Sequence, residues 1–276
     1  MKKKNIPFLL SFLLFITGVL CLILYLFRIK AEDEAFVSIR GARKASEEKT
    51  EEKKDEDEGL NYYLISGEPV QEGLKDVYLK NRDVIGWIKI DGTPIDYPIM
   101  YTPDDIEYYI HRGFDKEYSF GGCIFAGEGT SIDRPSDNII TYGHHMIDKS
   151  MYHEIDRYED EEYYKAHKYL TFDTLRQTGK YEVIAAFRTQ IYPEDYDGFV
   201  YWKFVNAKDE NEFNDFIEGC KSLSSVGIPT TAEYGDQLLT LSTCAYHTHN
   251  GRFVVVAKRV EGDEIDLEKE PKGVIE

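Results

Sequence analysis

The stretch LLTLSTC, residues 238–244, is a β-prone run that ends in a thiol. Leucine and threonine lead up to Cys244, and the chain then breaks into the polar loop AYHTHNG, residues 245–251. Apolar and β-branched runs bounded by turn residues are typical of buried strands. We therefore predict a strand over residues 237–244 with Cys244 at its mouth, where its side chain can leave the core.

The next run begins with Arg252 and continues as FVVVA, residues 253–257. So short a connection favours antiparallel neighbours, which puts Cys244 and Arg252 at the same end of the sheet. A thiol attacks as its thiolate, and a neighbouring cation lowers its pKa from about 8.5. Arg252 has two possible tasks, which are to stabilise the oxyanion of a tetrahedral intermediate or to bind backbone carbonyls of a peptide.

An acid/base partner for the thiol is offered by YGHHM, residues 142–146. A strand predicted over residues 138–142 ends at Gly143, which permits a sharp exit before His144. Sequence distance does not count against His144, because such partners meet only in the fold. The adjacent His145 points elsewhere if the backbone is extended, since neighbouring side chains alternate between faces.

Short β-rich runs recur along the chain at the spacing of a closed barrel or a sandwich. They cover residues 84–90, 95–100, 122–126, 138–142, 169–173, 181–186, 237–244 and 253–258. Pro98 interrupts the second run, which predicts an edge or bulged strand. Helices are predicted over residues 70–79, 150–165 and 209–223, and the last has an apolar stripe that includes Cys220. The acidic tail after Val260 is predicted to fray.

An apolar segment without a charged residue spans residues 6–27. At about 1.5 Å per residue, it can cross a membrane core of roughly 30 Å. It lacks the small-residue exit of a cleaved signal peptide, so we predict an uncleaved anchor with residues 1–5 in the cytoplasm. Residues 28–61 are dense in Glu and Lys and are predicted to form a solvated stalk. The catalytic domain is then expected over residues 62–260, followed by an acidic tail over residues 261–276.

The net charge of −18 argues against nucleic acid as a partner, because phosphates demand basic surfaces. Four cysteines without a Cys-x-x-Cys pair exclude a zinc ribbon and a redox motif. Cys123 falls in a strand-like run and is assigned to the core; a disulfide from it to Cys220 would leave Cys244 as a thiol. His247 and His249 could imitate part of a metal site, but no clear further ligands accompany them, so we expect neither metal nor cofactor.

Together these residues resemble the sortase family, class B. TLSTC, residues 240–244, is similar to the Thr-Leu-x-Thr-Cys signature of sortases. YGH, residues 142–144, is similar to the segment that carries their catalytic histidine, and Arg252 lies where their catalytic arginine lies. The resemblance covers residues 62–260, and the early strands together with the helix over residues 209–223 resemble class B.

The resemblance implies a closed β-barrel and a cysteine transpeptidase. Cys244 would cleave a sorting motif near the C-terminus of a secreted protein and form a thioester acyl-enzyme. His144 would protonate the leaving amine, Arg252 would steady the oxyanion or the substrate, and Ser242 would help near the site. An amine of a peptidoglycan precursor would resolve the thioester, attaching a surface protein to the wall of a Gram-positive bacterium.

Three other interpretations stay open. A Cys-His peptidase would use water in place of the amine, although its cysteine would usually head a helix. A sortase that polymerises pilins often carries a lid, and the stalk shows no clear lid motif. A membrane-tethered β-barrel binding module would leave Cys244 inert. The aromatic loop over residues 192–202 fits either a wall of a peptide groove or ordinary packing.

Overall fold

The computed structural model describes residues 6–51 and 60–276. The chain divides into two compact units, Met1–Gly41 and Ala42–Glu276. Helix α1 (Ile6–Glu51) contains the predicted spanning segment and continues through much of the predicted stalk. Within the described residues it is the one helix whose length and composition would allow it to cross a membrane, over Phe8–Ser46. The predicted tail over residues 1–5 lies outside the described residues, as do residues 52–59.

Eight strands of the second unit close into a barrel, which confirms the predicted mainly β fold. The described strands, of which β1, β2 and β11 form a separate small sheet, are β1 (Tyr62–Ile65), β2 (Glu68–Gln71), β3 (Val84–Lys89), β4 (Asp96–Met100), β5 (Ile124–Ala126), β6 (Asn138–Tyr142), β7 (Tyr169–Thr174), β8 (Lys180–Gln190), β9 (Leu238–Cys244), β10 (Gly251–Glu261) and β11 (Val274–Ile275). Around the barrel the order is β10-β8-β7-β3-β4-β5-β6-β9. The pairs β4–β5 and β6–β9 are parallel, and the other pairs of the ring are antiparallel.

Helix α4 (Glu210–Leu223) covers one side of the barrel. Its N-cap, Asp209, accepts a hydrogen bond from the backbone N–H of Glu212 at 3.0 Å, which satisfies a donor of the first turn. Buried side chains of α4 pack on strands β9 and β10; they include Phe213, Phe216, Ile217 and Cys220 against Leu238, Val254 and Val256. The strands are therefore buried on both faces, which explains their nearly continuous apolar sequence. Cys220 lies in the core as predicted, and burial raises the pKa of its thiol.

Strand β4 is not an edge strand, so that part of the prediction for Pro98 is wrong. Pro98 pairs with Trp87 of β3, whereas the pairing with β5 begins one residue later, at Ile99. A proline is tolerated there because the β5 ladder starts beyond its missing N–H. The alternative prediction, a bulge in this strand, is wrong as well, because the register shift of the β3–β4 pair lies between Val84 and Gly86 and puts the extra residue on β3.

Two predicted helices are shorter or more broken than expected. The segment predicted over residues 70–79 starts in β2, passes through a 3-10 turn and becomes α2 (Lys75–Lys80). The segment predicted over residues 150–165 is a 3-10 helix, His153–Glu159, followed by α3 (Glu161–Ala166). Asp160 separates the two by capping α3, since its carboxylate accepts from the N–H of Tyr163 at 2.8 Å.

The C-terminal tail is docked, so the prediction that it frays is wrong. Strand β11 pairs in parallel with β1, and the N–H of Leu64 donates to the carbonyl of Gly273 at 3.0 Å. Lys272 Nζ lies 2.6 Å from both carboxylate oxygens of Glu72. The tail thereby satisfies backbone groups of β1 that would otherwise form an open sheet edge.

Packing within the second unit begins well before residue 62. The guanidinium of Arg43, near the end of α1, forms a buried ion pair with the carboxylate of Asp173 on β7. Burial raises the pKa of Asp173, and the neighbouring Arg43 opposes that shift. Ser46 Oγ lies 3.3 Å from Asp76 Oδ2 on α2. The end of α1 is therefore part of the folded unit.

Candidate active site

The register of β9 and β10 places Arg252 directly opposite Cys244. Residues directly opposite each other on antiparallel strands share a face, with Cβ atoms about 4.5–5.5 Å apart. The guanidinium of Arg252 is anchored at the end of its strand, because Nη1 donates to the carbonyl of Gly251 at 2.9 Å. A cation and a thiol are thus side by side, as the sequence predicted.

Strand β6 brings His144 to the same place from the other side of β9. Tyr142 pairs with Ser242, and beyond that pair the N–H of Gly143 donates to the carbonyl of Ser242 at 3.1 Å. Thr243 Oγ1 donates back to the carbonyl of Gly143 at 2.7 Å. His144 and Cys244 follow the pair of Tyr142 and Ser242 by two residues each, and both line one cavity.

Gly143 is required at this exit by close packing. A Cβ atom at this position would lie 2.8 Å from the ring of Tyr152, closer than carbon atoms approach in proteins. Tyr152 is fully buried, and its hydroxyl lies 2.8 Å from Thr141 Oγ1, so its ring cannot move aside freely. Gly143, predicted to end the strand sharply, therefore also allows the backbone to pack directly against the ring of Tyr152.

One cavity of about 460 Å³ joins the four predicted site residues. Cys244, His144, Arg252 and Ser242 all line it. Its other walls include Ile106, Glu107, Ile110, Phe125, Glu128, Tyr142, Ile191 and Trp202. On β9 and β10, the cavity residues Ser242, Cys244 and Arg252 are on the same strand faces as the residues that pack with α4. Cys244 and Arg252 therefore lie beyond the end of that apolar cluster.

The imidazole of His144 is half-buried and has a defined hydrogen-bond partner. Its Nε2 lies 2.8 Å from the carbonyl oxygen of Ile110. A carbonyl can only accept, so Nε2 carries the hydrogen and Nδ1 is the acceptor nitrogen of the neutral ring. Burial lowers the pKa of His144; the bond to Ile110 raises that pKa, and the nearby His111 lowers it further.

The other histidines named by the sequence do not line this cavity. His145 turns away, as predicted, and its Nε2 lies 3.0 Å from Asp156 Oδ2. His247 and His249 lie in the loop between β9 and β10. In the ranges 6–51 and 60–276, no group of three or more His, Cys, Asp or Glu side chains is arranged to hold a metal ion. Cys123 and Cys220 are thiols rather than a disulfide.

Sequence reasoning missed two contacts of the site. Tyr201, 1% exposed, lies with its hydroxyl 2.6 Å from Ser242 Oγ. His111 stacks on His144. Neither belongs to a strand of the barrel, so no alternation of apolar and polar residues could have located them. The aromatic loop divides between the two predicted roles, because Tyr201 is core while Trp202 lines the cavity.

A thiol, an imidazole and a guanidinium around one cavity are the groups that acyl transfer needs. The thiol can attack a carbonyl, the imidazole can move a proton, and the guanidinium can stabilise negative charge on oxygen. A family model of the sortase domain matches residues 88–260.

The chain belongs to the sortase family. Sortase B of Staphylococcus aureus is 31% identical over 185 residues, which cover 66% of this chain and 72% of that protein. Sortase B of Listeria monocytogenes is 29% identical over 198 residues, which cover 71% of this chain and 77% of that protein. The predicted class B assignment is thereby confirmed, and this sortase is a cysteine transpeptidase.

Solved structures of sortases share the fold. A structure of sortase B from Bacillus anthracis has a TM-score of 0.65 at 29% identity and covers 83% of this chain and 96% of that chain. The substrate complex of sortase B from S. aureus has a TM-score of 0.70 at 24% identity, with coverage of 84% and 97%. The eight-stranded barrel of this sortase is thus the fold of its class.

Proposed function

We propose that this sortase cleaves a sorting motif near the C-terminus of secreted proteins and transfers the new acyl end to a cell-wall amine. The observation that carries the proposal is the cavity in which Arg252 lies opposite Cys244, with His144 also lining it two residues after the neighbouring strand β6. Because β9 lies between β6 and β10, the proposed nucleophile Cys244 is flanked by the strand of the cation and the strand that leads to the imidazole. Class B membership, with the sorting substrates and amine acceptors of its family, supports the same reaction.

The reaction proceeds in two displacements at one carbonyl carbon. The Cys244 thiol gives its proton to His144 Nδ1 and its sulfur forms a C–S bond, while Arg252 stabilises the oxyanion or holds the peptide. The C–N bond then breaks as His144 passes that proton to the leaving amine. An acceptor amine, supplied by a peptidoglycan precursor, then attacks the thioester. It gives its proton to His144, and the thiolate leaves. Ser242, below the thiol on β9, supports the site through its hydroxyl.

The N-terminal helix supports a membrane anchor for this reaction. In the proposed topology, residues 6–27 span the bilayer, residues 1–5 lie in the cytoplasm, and the catalytic domain works outside the cell. The basic residues 2–4 and the charge-free run that follows favour this orientation. The proposed segments are a charged stalk over residues 28–61, a catalytic domain over residues 62–260 and an acidic tail over residues 261–276, with Arg43 of the stalk and β11 of the tail packed on that domain.

The test uses the full-length protein in detergent with a panel of quenched sorting-motif peptides, with and without an added amine. We expect an amine-ligated product that disappears in Cys244→Ala. Cys21→Ala is the matched control, because it removes an exposed thiol that does not line the cavity. If only the free acid from hydrolysis is formed, even with added amine, the result would favour the Cys-His peptidase. No cleavage together with an unreactive Cys244 would favour the binding module.

Arg252→Lys tests the electrostatic role. A lysine keeps the charge but loses the planar fork that can hold both Gly251 and a substrate oxygen. We expect kcat/KM for the same peptides to fall about a hundredfold, the size typical of losing one oxyanion donor. Arg259→Lys, on the distal part of β10, is the control and should leave kcat/KM unchanged. Equal activity of the two variants would show that Arg252 has no special task.

A further inference from the structure

Beside the cavity, the loop between β4 and β5 places a second imidazole against His144. The rings of His111 and His144 are stacked, with centroids 5.3 Å apart and planes inclined by 17°. The preceding residue, Ile110, supplies the carbonyl that lies 2.8 Å from His144 Nε2. One dipeptide therefore contacts the imidazole of His144 both on its face and at its edge.

His111 opens a short, hydrogen-bonded hairpin. Its carbonyl accepts from the N–H of Ser119 at 3.0 Å, and the N–H of Gly113 donates to the carbonyl of Glu117 at 2.8 Å. Phe120 lies near the His111 ring as well, at 6.5 Å with an inclination of 28°. The backbone of His111 is thus fixed by a closed turn, and its exposed ring lies between Phe120 and the ring of His144.

The carbonyl of Ile110 is held just as firmly. Gly122 has φ of 58°, and a Cβ atom there would lie 2.4 Å from the carbonyl oxygens of both Tyr109 and Ile110. Only glycine permits this approach. The N–H of Cys123 donates to the Tyr109 carbonyl at 3.0 Å, which fixes the loop to the start of β5.

We propose that His111 is a positioning residue for His144, holding that imidazole with Nε2 bonded to Ile110 and Nδ1 left to exchange the proton. The inference rests on the proposed role of His144 in proton transfer. His111 itself needs no contact with the reacting atoms. Its ring restricts the rotation that would break the bond to Ile110 and misdirect Nδ1.

The same contact couples the charges of the two rings. Two stacked imidazolium ions repel, so His111 adds to the burial that lowers the pKa of His144. The other titratable or charged groups that line the cavity with His144 are Glu107 on the loop of His111, Glu128 after β5, Tyr142 on β6, Cys244 on β9 and Arg252 on β10. Removing His111 leaves those groups in place, so the pKa of His144 should rise.

The test compares His111→Ala, which removes the ring, with His111→Phe, which keeps a flat ring without charge. In full-length protein we expect His111→Ala to lower kcat by about tenfold or more, because a small misplacement of a catalytic group is costly. KM should stay within about twofold, and His111→Phe should keep kcat within about threefold of wild type. Tyr118→Ala, which removes an exposed ring that also borders His111, is the control and should keep kcat.

Titration of His144 by NMR in the same proteins supplies a readout that does not depend on turnover. We expect its pKa to rise in both His111 variants and to stay constant in Tyr118→Ala. Wild-type kcat in His111→Ala, or an unchanged pKa in both His111 variants, would overturn the proposal. A Phe variant as impaired as the Ala variant would overturn the role of stacking. If wild type cleaves no peptide, the proposed function fails, while the titration still tests the contact.

Discussion

At the scale of single residues, the hydroxyls of Tyr201 and Ser242 form a bond of 2.6 Å beneath the reactive thiol. Both residues are 1% exposed, and burial raises the pKa of Tyr201 to about 12, so the phenol stays protonated at neutral pH. A buried hydroxyl that loses its partner costs about 1–3 kcal/mol. The pair therefore contributes to stability, and Ser242 also forms part of the wall of the cavity.

We expect Tyr201→Phe and Ser242→Ala each to lower the free energy of unfolding by about 1–3 kcal/mol. The double variant should lose less than the sum of the two, since it leaves no hydroxyl without its partner. Denaturant unfolding of the four proteins measures this coupling. Tyr234→Phe, which removes a hydroxyl from a half-exposed ring, is the control and should be neutral. Strictly additive losses would show that the two hydroxyls are not coupled.

The residues that could be predicted at this scale are those whose positions follow from strand register. Cys244 and Arg252 flank one short loop, so their alignment follows once both runs are taken as antiparallel strands. His144 could be selected by its glycine exit and its resemblance to sortases. His111 could not, because it acts beside a backbone carbonyl, and a carbonyl has no signature in a sequence.

At the scale of elements, strand β11 is the least expected part of the fold. Its two residues are embedded in a charged tail with Pro271, a pattern typical of disorder. β11 pairs with β1, and Lys272 pairs with Glu72, which lies 200 residues earlier in the chain. Neither contact could be predicted, because the sequence pattern does not show which distant segments meet. Long strands with internal alternation were predictable, whereas a two-residue strand depends on its partner.

Ending the chain after Lys269 tests this docking. The deletion removes β11 and the Lys272 ammonium, which leaves the buried Glu72 without this cation and β1 with an open edge. A loss of about 2 kcal/mol would lower Tm by about 4–8 °C for a domain of this size. Lys272→Ala should account for part of the shift, and Lys269→Ala for none. An unchanged Tm in the truncated protein would mean that the tail is frayed after all.

At the scale of the whole molecule, the buried pair of Arg43 and Asp173 makes the end of α1 part of the catalytic unit. Removing one member of such a pair costs about 3–5 kcal/mol, because the other charge stays buried. We expect Arg43→Ala to lower the free energy of unfolding by that amount at pH 7. Lys44→Ala, on the exposed side of the same helix, is the control.

The cost of Arg43→Ala should depend on pH. The pKa of Asp173 is raised in the folded protein, so this carboxyl favours folding below its ordinary pKa and loses that effect as pH rises through the folded value. As pH falls, Asp173 becomes neutral and no longer needs a cation. The difference between wild type and Arg43→Ala should therefore shrink towards acidic pH in unfolding experiments. A difference that is constant with pH would contradict the pairing.

The position of β9 between β6 and β10 has a consequence for how activity is acquired during folding. Gly143 and Thr243, joined across that strand pair, are 100 residues apart, and loops of such length close late because of their entropy. Until β9 enters the ring, Cys244 is an ordinary cysteine with neither His144 nor Arg252 beside it. In the proposed mechanism, a nascent or half-folded chain therefore does not cleave the peptides around it. The proposed nucleophile is assembled by the same event that completes the barrel.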